Sequence, residues 1–138
     1  FGRSAFFGHP PEEYVQIHDL VLRAQREAMD MMKAGRITAA EANVAGRAPI
    51  EAAGYGPCFT HRLGHGIGLT VHEEPFLDIM DDTVLQENMT FTVEPSIRSV
   101  PERPVLGGYV NRVEDVVVVK EHGAESLYDT SHELTIVQ

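Results

Sequence analysis

The chain has 138 residues, enough for one domain with a hydrophobic core, and its 43% hydrophobic and 23% charged content is ordinary for a globular protein. Its formal net charge of −10 argues against nucleic acid or an anionic membrane as a partner, because both require clustered lysine and arginine. With a single cysteine, Cys58, and no apolar run of about 18 residues, we predict no intrachain disulfide, no transmembrane helix and a cytoplasmic location.

The first predicted elements are a strand end over residues 3–7 and, after a breaker at residues 8–11, a long helix. Proline suits the first turn of a helix, and the acidic residues at 12 and 13 favour the positive end of its dipole. We expect the helix to end at Gly35, with Lys33 in its last turn. One apolar stripe recurs at steps of three or four: Tyr14, Ile17, Val21, Ala24, Ala28 and Met31.

A second helix is predicted from a capping-box pattern, in which Thr38 bonds forward and Glu41 bonds back. This helix is rich in alanine and should end near Ala53, because Gly54 follows. Pro49 lies inside it, so we expect the helix to be kinked or split there.

The second half of the chain favours strands. Residues 59–70 are a short glycine-rich extended segment that carries histidines, and residues 77–87 are an acidic connection. The valines at 116–119 are typical of a buried strand, and residues 101–104, with two prolines, predict a loop. Strands are predicted at residues 89–94, at 109–119 and, interrupted by a turn, at 126–137. Two helices followed by a mostly antiparallel sheet predict an α+β fold.

Three histidines lie close together in the sequence, at positions 61, 65 and 72. A lone histidine is more often a satisfied buried side chain, but Gly64 and Gly66 flank His65 and let another group approach it closely. A neutral imidazole is a suitable ligand for Zn, Mn or Co. In a straight strand His61 and His65 share one face and His72 lies on the other, so spacing alone does not bring His72 to the other two.

Glu94 and Glu114 occur within apolar strand patterns. Each is either a solvent-facing polar position or a buried carboxylate, and a buried carboxylate requires a metal or another charge to compensate it. Arg112 shares a strand face with Glu114 and would hold that carboxylate, or it forms an exposed ion pair of small energy. One histidine and two glutamates from three segments predict a divalent-metal site and a metallohydrolase. A nucleophile pair of Cys58 and His61 has no further support in the sequence.

Several sequence pieces occur in a specific order over essentially the whole chain: residues 61–68, 71–75, 91–95 and 112–115, with weaker ones at 123–127 and 133–134. They resemble the metal-dependent peptidases that include Xaa-Pro aminopeptidases, Xaa-Pro dipeptidases and methionine aminopeptidases, with creatinase as a metal-free relative. The likeness is greatest to the Xaa-Pro branch. It implies a pita-bread fold, in which two main helices pack on a curved, mostly antiparallel sheet with a dinuclear metal site in its hollow.

The resemblance also implies roles for individual residues. The implied metal ligands are His65, Glu94 and Glu114. The implied catalytic residues are Glu94, His72 and His61: Glu94 would also act as general base, His72 would stabilise the tetrahedral intermediate, and His61 would lie at the substrate pocket. Both histidines would contact substrate, and Arg112 would orient Glu114. The implied cofactors are two divalent ions (Mn, Co or Zn), and the implied substrate is a short peptide with proline in its second position.

Members of the family use two further aspartate ligands from a hairpin before the first helix, and this chain starts beyond that point. We therefore expect residues 1–138 to be a single, partial pita-bread catalytic domain that lacks its N-terminal segment. Such a piece should bind metal weakly or not at all and should be nearly inactive alone. An exposed sheet edge should favour a homodimer.

Two alternatives stay open. One is a non-catalytic pseudo-enzyme that binds peptides, and the other is a hydrolase or lyase that acts on a small non-peptide molecule. Ser96 stands where many relatives have glycine, which leaves the substrate loop open as well.

Overall fold

The structure is a computed structural model, and it describes residues 1–100 and 110–138. Helix α1 spans Glu12–Met31 and helix α2 spans Ala39–Ala52, with a short 3-10 turn at Gly56–Cys58. The strands of the described residues are β1 (Ala5–Phe7), β2 (Gly64–Gly66), β3 (Glu73–Leu77), β4 (Thr90–Val93), β5 (Ser96–Arg98), β6 (Val110–Arg112), β7 (Asp115–Lys120), β8 (Gly123–Ser126) and β9 (Thr135–Val137).

Helix α1 confirms the predicted start but ends earlier than expected, four residues before Gly35. Its predicted stripe is buried up to Ala28, whereas Met31 is 51% exposed. Met32 is fully buried in its place, because the backbone leaves the helix after Met31 and points the next side chain into the core.

Helix α2 has the predicted capping box, since the Glu41 amide donates to the Thr38 hydroxyl and the Thr38 amide donates to the Glu41 carboxylate. Of the two expected outcomes at Pro49, a split is wrong, because the helix continues through it to Ala52. Pro49 lies in the last turn and lacks one helical N–H bond, and it is buried together with Ile50. Packing thus compensates for the local defect.

A five-stranded antiparallel sheet in the order β3-β2-β4-β7-β8 forms the centre of the fold. Strands β5 and β6 make a separate antiparallel pair, and β1 pairs in parallel with β9. The core lies between the helices and the sheet, with Ile17 and Val21 of α1 and Phe91 and Val117 of the sheet at most 1% exposed. The predicted α+β class is confirmed.

The predicted strand at 109–119 is two strands in different sheets, because the ladder breaks at Val113 and Glu114. Glu114 pairs instead with Gly2, and each residue's amide donates to the other's carbonyl. The prediction that the valines at 116–119 form a buried strand holds for two of the four, because buried and partly exposed positions alternate along the strand. Strands β3 and β5 were not predicted, β8 begins at Gly123, and the expected loop at 101–104 lies outside the described residues.

In the described part of the chain, neither helix combines the length and the apolar character needed to cross a bilayer.

Candidate functional site

His65 occupies the middle of β2, where two glycines permit unusually close strand packing. A Cβ on Gly64 would lie 1.8 Å from the Thr92 carbonyl oxygen of β4, and one on Gly66 would lie 2.6 Å from the Glu73 carbonyl oxygen of β3. The His65 amide also donates to the Thr92 hydroxyl over 3.1 Å. The group that approaches closely is therefore the backbone of the neighbouring strands, and it fixes a histidine that is 5% exposed.

The predicted metal-binding side chains from three segments are connected through short contacts. His65 Nε2 lies 3.5 Å from Glu94 Oε1. Arg112 Nη1 lies 3.0 Å from Glu94 Oε2, and Arg112 Nη2 lies 3.3 Å from Glu114 Oε2. The guanidinium thus bridges the two carboxylates, which are 13% and 19% exposed. Arg112 makes the predicted contact with Glu114, and it also binds Glu94.

The carboxyl of Glu94 has a pKa above its ordinary value. Burial of the side chain is the main cause, and the neighbouring Glu114 charge adds to it. Arg112, His65 and His72 act in the opposite direction but do not cancel the effect. The two glutamate charges therefore repel each other where both side chains are largely shielded from water. A bound cation would reduce this repulsion.

The turn after β2 brings His72 back to His65. The pairing of β2 with β3 shifts register between His65 and Gly66, and the Thr70 amide and hydroxyl both donate to Glu73 in the connecting turn. The imidazole rings of His65 and His72 have centroids 4.2 Å apart, and His72 is exposed. The structure thus settles a proximity that sequence spacing left open.

His61 is held by two short hydrogen bonds, one to the adjacent backbone and one to β5. Its Nδ1 lies 2.6 Å from the Arg62 carbonyl oxygen, and its Nε2 lies 2.6 Å from the Ser96 hydroxyl. Burial lowers the pKa of His61, and the charges of Arg98, Arg112 and Arg47 lower it further, against the raising effect of the Arg62 hydrogen bond. Because a carbonyl oxygen only accepts, Nδ1 donates to Arg62, and a neutral ring would then accept from the Ser96 hydroxyl at Nε2.

Sequence reasoning missed a second group of residues, which holds the backbone at Glu114. Arg3 Nη1 donates to the Glu114 carbonyl over 2.8 Å, and Arg3 Nη2 lies 2.8 Å from Asp115 Oδ1. The other oxygen of Asp115 lies 2.6 Å from His132 Nε2. Asp115 is 1% exposed. An acid inside the apolar run at 115–119 was the available signal.

The donor set suits a divalent cation in its chemistry, with one imidazole and two carboxylates. Arg112 supplies the positive charge between these carboxylates. Among residues 1–100 and 110–138, however, no group of at least three His, Cys, Asp or Glu side chains stands close enough to hold a metal ion. The chain therefore brings the predicted ligands into one neighbourhood but not into a coordination sphere.

Comparison with known proteins shows what the chain resembles. The profile of metallopeptidase family M24 matches residues 1–121. A Xaa-Pro dipeptidase from Pyrococcus furiosus is 42% identical over 132 residues, which cover 96% of this chain and 36% of that protein. A probable dipeptidase PepE from Mycobacterium tuberculosis is 38% identical over 135 residues, covering 98% and 34%. The chain thus spans about a third of the length of these curated relatives.

Solved structures of peptidases share the fold of this chain. An X-Pro aminopeptidase from Thermotoga maritima superposes with a TM-score of 0.87 at 39% identity, covering 98% of this chain and 36% of that one. The N-terminal domain of the FACT complex subunit SPT16 from chickpea superposes with a TM-score of 0.79 at 18% identity, which shows the fold alone. The predicted resemblance and the partial pita-bread architecture are therefore confirmed.

Proposed function

The chain belongs to metallopeptidase family M24, and from this premise we propose that the intact protein is a metal-dependent peptidase that cleaves short peptides at Xaa-Pro. The observation that carries the proposal is the line of contacts from His65 through Glu94 and Arg112 to Glu114. An imidazole and two carboxylates suit a divalent ion. His65 lies in β2, Glu94 directly follows β4, and Glu114 directly precedes β7, and these three strands belong to one sheet.

We propose that His65, Glu94 and Glu114 hold divalent metal in the intact protein, and that two ions of Mn, Co or Zn bind there with further ligands. Bound metal would supply a Lewis acid that polarises the scissile carbonyl and makes water a stronger nucleophile. Arg112 would keep both carboxylates oriented through its two ion pairs.

The remaining residues would act on the substrate and its protons. Glu94 would accept the proton of the attacking water. His72, exposed and with its ring tilted against that of His65, would donate an N–H to the oxygen on which negative charge develops. His61, whose ring is held by Ser96, would line the pocket for the peptide.

The test is hydrolysis of a set of Xaa-Pro and Xaa-Ala dipeptides by the intact protein, before and after chelation and after metal is restored. We expect Xaa-Pro to be preferred, chelation to abolish turnover, and metal to restore it. His65→Ala and Glu114→Ala should each be inactive, whereas Glu133→Gln, an exposed acid on the C-terminal segment, should match the parent. Full chelator-resistant activity of His65→Ala would refute the assignment. Peptide binding without turnover would instead support the non-catalytic alternative.

We further propose that residues 1–138 alone bind metal weakly and have little activity, because among the described residues His65, Glu94 and Glu114 do not converge on one coordination sphere. Titration calorimetry measures this, and tight binding of two ions would contradict it. A homodimer and a cytoplasmic location remain predictions, to be measured by sedimentation and by cell fractionation.

A further inference from the structure

Arg98 is partly buried, and among the described residues no hydrogen bond or ion pair satisfies its guanidinium. Its Nε is buried and has no hydrogen-bond partner, and no ion pair involves Arg98 in the described part of the chain. Buried polar nitrogen atoms in folded proteins nearly always have a partner, so this one requires an explanation. The chain carries a net charge of −10, yet no acidic side chain among the described residues pairs with it.

The other arginines near His61 do have partners. Arg47 donates to the carbonyl oxygens of His61 and Phe59, and its guanidinium stacks over the Phe59 ring. Arg112 is paired with Glu94 and Glu114. Arg98 is therefore the arginine of this group whose hydrogen-bonding capacity is left for a ligand.

The strand register places Arg98 on the face that borders the candidate site. In the β5–β6 pair, Ser96 lies opposite Arg112, and Arg98 lies opposite Val110. Residues two apart on a strand share a face, so Ser96, Arg98 and Arg112 point to the same side. Ser96 holds His61 there, and Arg112 holds Glu94. A ligand on Arg98 would therefore lie beside the groups proposed to act on the peptide bond.

We propose that Arg98, next to Ser96 and His61, binds a carboxylate of the peptide substrate and so selects which peptides are cleaved. This inference rests on the proposed peptidase function. A guanidinium offers parallel N–H donors that match the two oxygens of a carboxylate. The carboxylate is either the C-terminus of a short peptide or an acidic side chain.

The experiment compares three substrates on the intact protein: an Xaa-Pro dipeptide with a free C-terminus, the same dipeptide as its C-terminal amide, and an Xaa-Pro-Glu amide. Arg98→Gln should raise KM for the substrate that carries the recognised carboxylate by about tenfold or more, with kcat nearly unchanged. Arg98→Lys should raise KM less than Arg98→Gln does, because lysine keeps the positive charge but lacks the two parallel N–H donors of the guanidinium. Arg36→Gln, at an exposed turn position, is the matched control.

The pattern across substrates identifies the source of the carboxylate. Loss confined to the free dipeptide identifies the C-terminus, and loss confined to the Xaa-Pro-Glu amide identifies the side chain. An equal loss on all three substrates, or a loss in kcat alone, overturns the proposal, because it shows a structural role for Arg98.

A binding measurement separates this proposal from the proposed peptidase function. Calorimetry with proline and prolinamide, and with glutamic acid α-amide, which keeps the side-chain carboxylate, and its neutral partner glutamine amide, needs no turnover. Weaker binding of one acid to Arg98→Gln, with no change for its neutral partner, supports the subsite even if no peptide is hydrolysed. Active protein in which Arg98→Gln changes neither KM nor acid binding disproves the subsite and leaves the peptidase function intact.

Discussion

Gly64→Ala tests how the sheet positions His65. The added Cβ would lie 1.8 Å from the Thr92 carbonyl oxygen and 2.8 Å from its carbonyl carbon. Both atoms belong to the backbone of the adjacent strand, so no side-chain rotation can relieve the contact.

The size of the effect follows from that distance. A non-bonded carbon and oxygen approach to about 3.3 Å, so β2 and β4 would have to separate by roughly 1.5 Å. Such overpacking lowers the free energy of unfolding by about 3 kcal/mol. Because His65 follows directly and its amide bonds to the Thr92 hydroxyl, its imidazole should also move away from Glu94.

Urea unfolding followed by circular dichroism measures the stability, and metal binding by the intact protein reports on the site. Gly56→Ala is the matched control, because its Cβ would lie 3.1 Å from Glu51 Cγ, the flexible part of an exposed side chain. We expect the control to lose less than about 1 kcal/mol. Equal stability of Gly64→Ala and Gly56→Ala, with unchanged metal binding, would refute the reasoning.

Three further predictions concern buried or hydrogen-bonded charges. Asp115→Asn should lower the free energy of unfolding by about 3 kcal/mol, because it leaves the Arg3 charge without its buried partner; chemical denaturation measures this. Burial pushes the pKa of Asp81 upward, but hydrogen bonds from Thr83 and the Phe76 amide outweigh this effect and lower the pKa. Its contribution to stability is therefore present at neutral pH and is lost as the pH falls below the carboxyl's unfolded-state pKa, so Asp81→Asn should flatten the acid side of a melting-temperature profile. Arg98→Gln should raise the pKa of His61 in an NMR titration, because one of the nearby cations that lower it is removed.

Each of these predictions has a control within the chain. Glu133→Gln and Asp82→Asn change exposed acids and should leave stability and its pH profile nearly unchanged. Arg36→Gln removes an equal charge at an exposed turn and should not move the His61 titration. An Asp115→Asn protein as stable as Glu133→Gln, an unaltered acid limb in Asp81→Asn, or an unmoved His61 would each contradict the corresponding prediction.

Local sequence signals predicted the helices because they act over a few residues. The capping box at Thr38 and the apolar stripe up to Ala28 both appear in the structure as expected. Local signals did not predict that the helix continues through Pro49 or that Met32 is buried in place of Met31. Both outcomes depend on which side chains pack against the helix end. The strand at 109–119 failed for a related reason, because pairing with Gly2 ends one ladder at Glu114 and lets another begin.

The sequence by itself determined the composition of the candidate site and the family to which the chain belongs, because residue type and order are sufficient for both. Tertiary structure alone decided which of these groups meet. The return of His72 to His65, the bridging of two glutamates by Arg112 and the support of Glu114 by Arg3 all join residues that are distant in the chain or lie on opposite faces of an ideal strand. Such contacts depend on strand register and turn geometry, which result from the packing of the whole sheet and not from the spacing of residues.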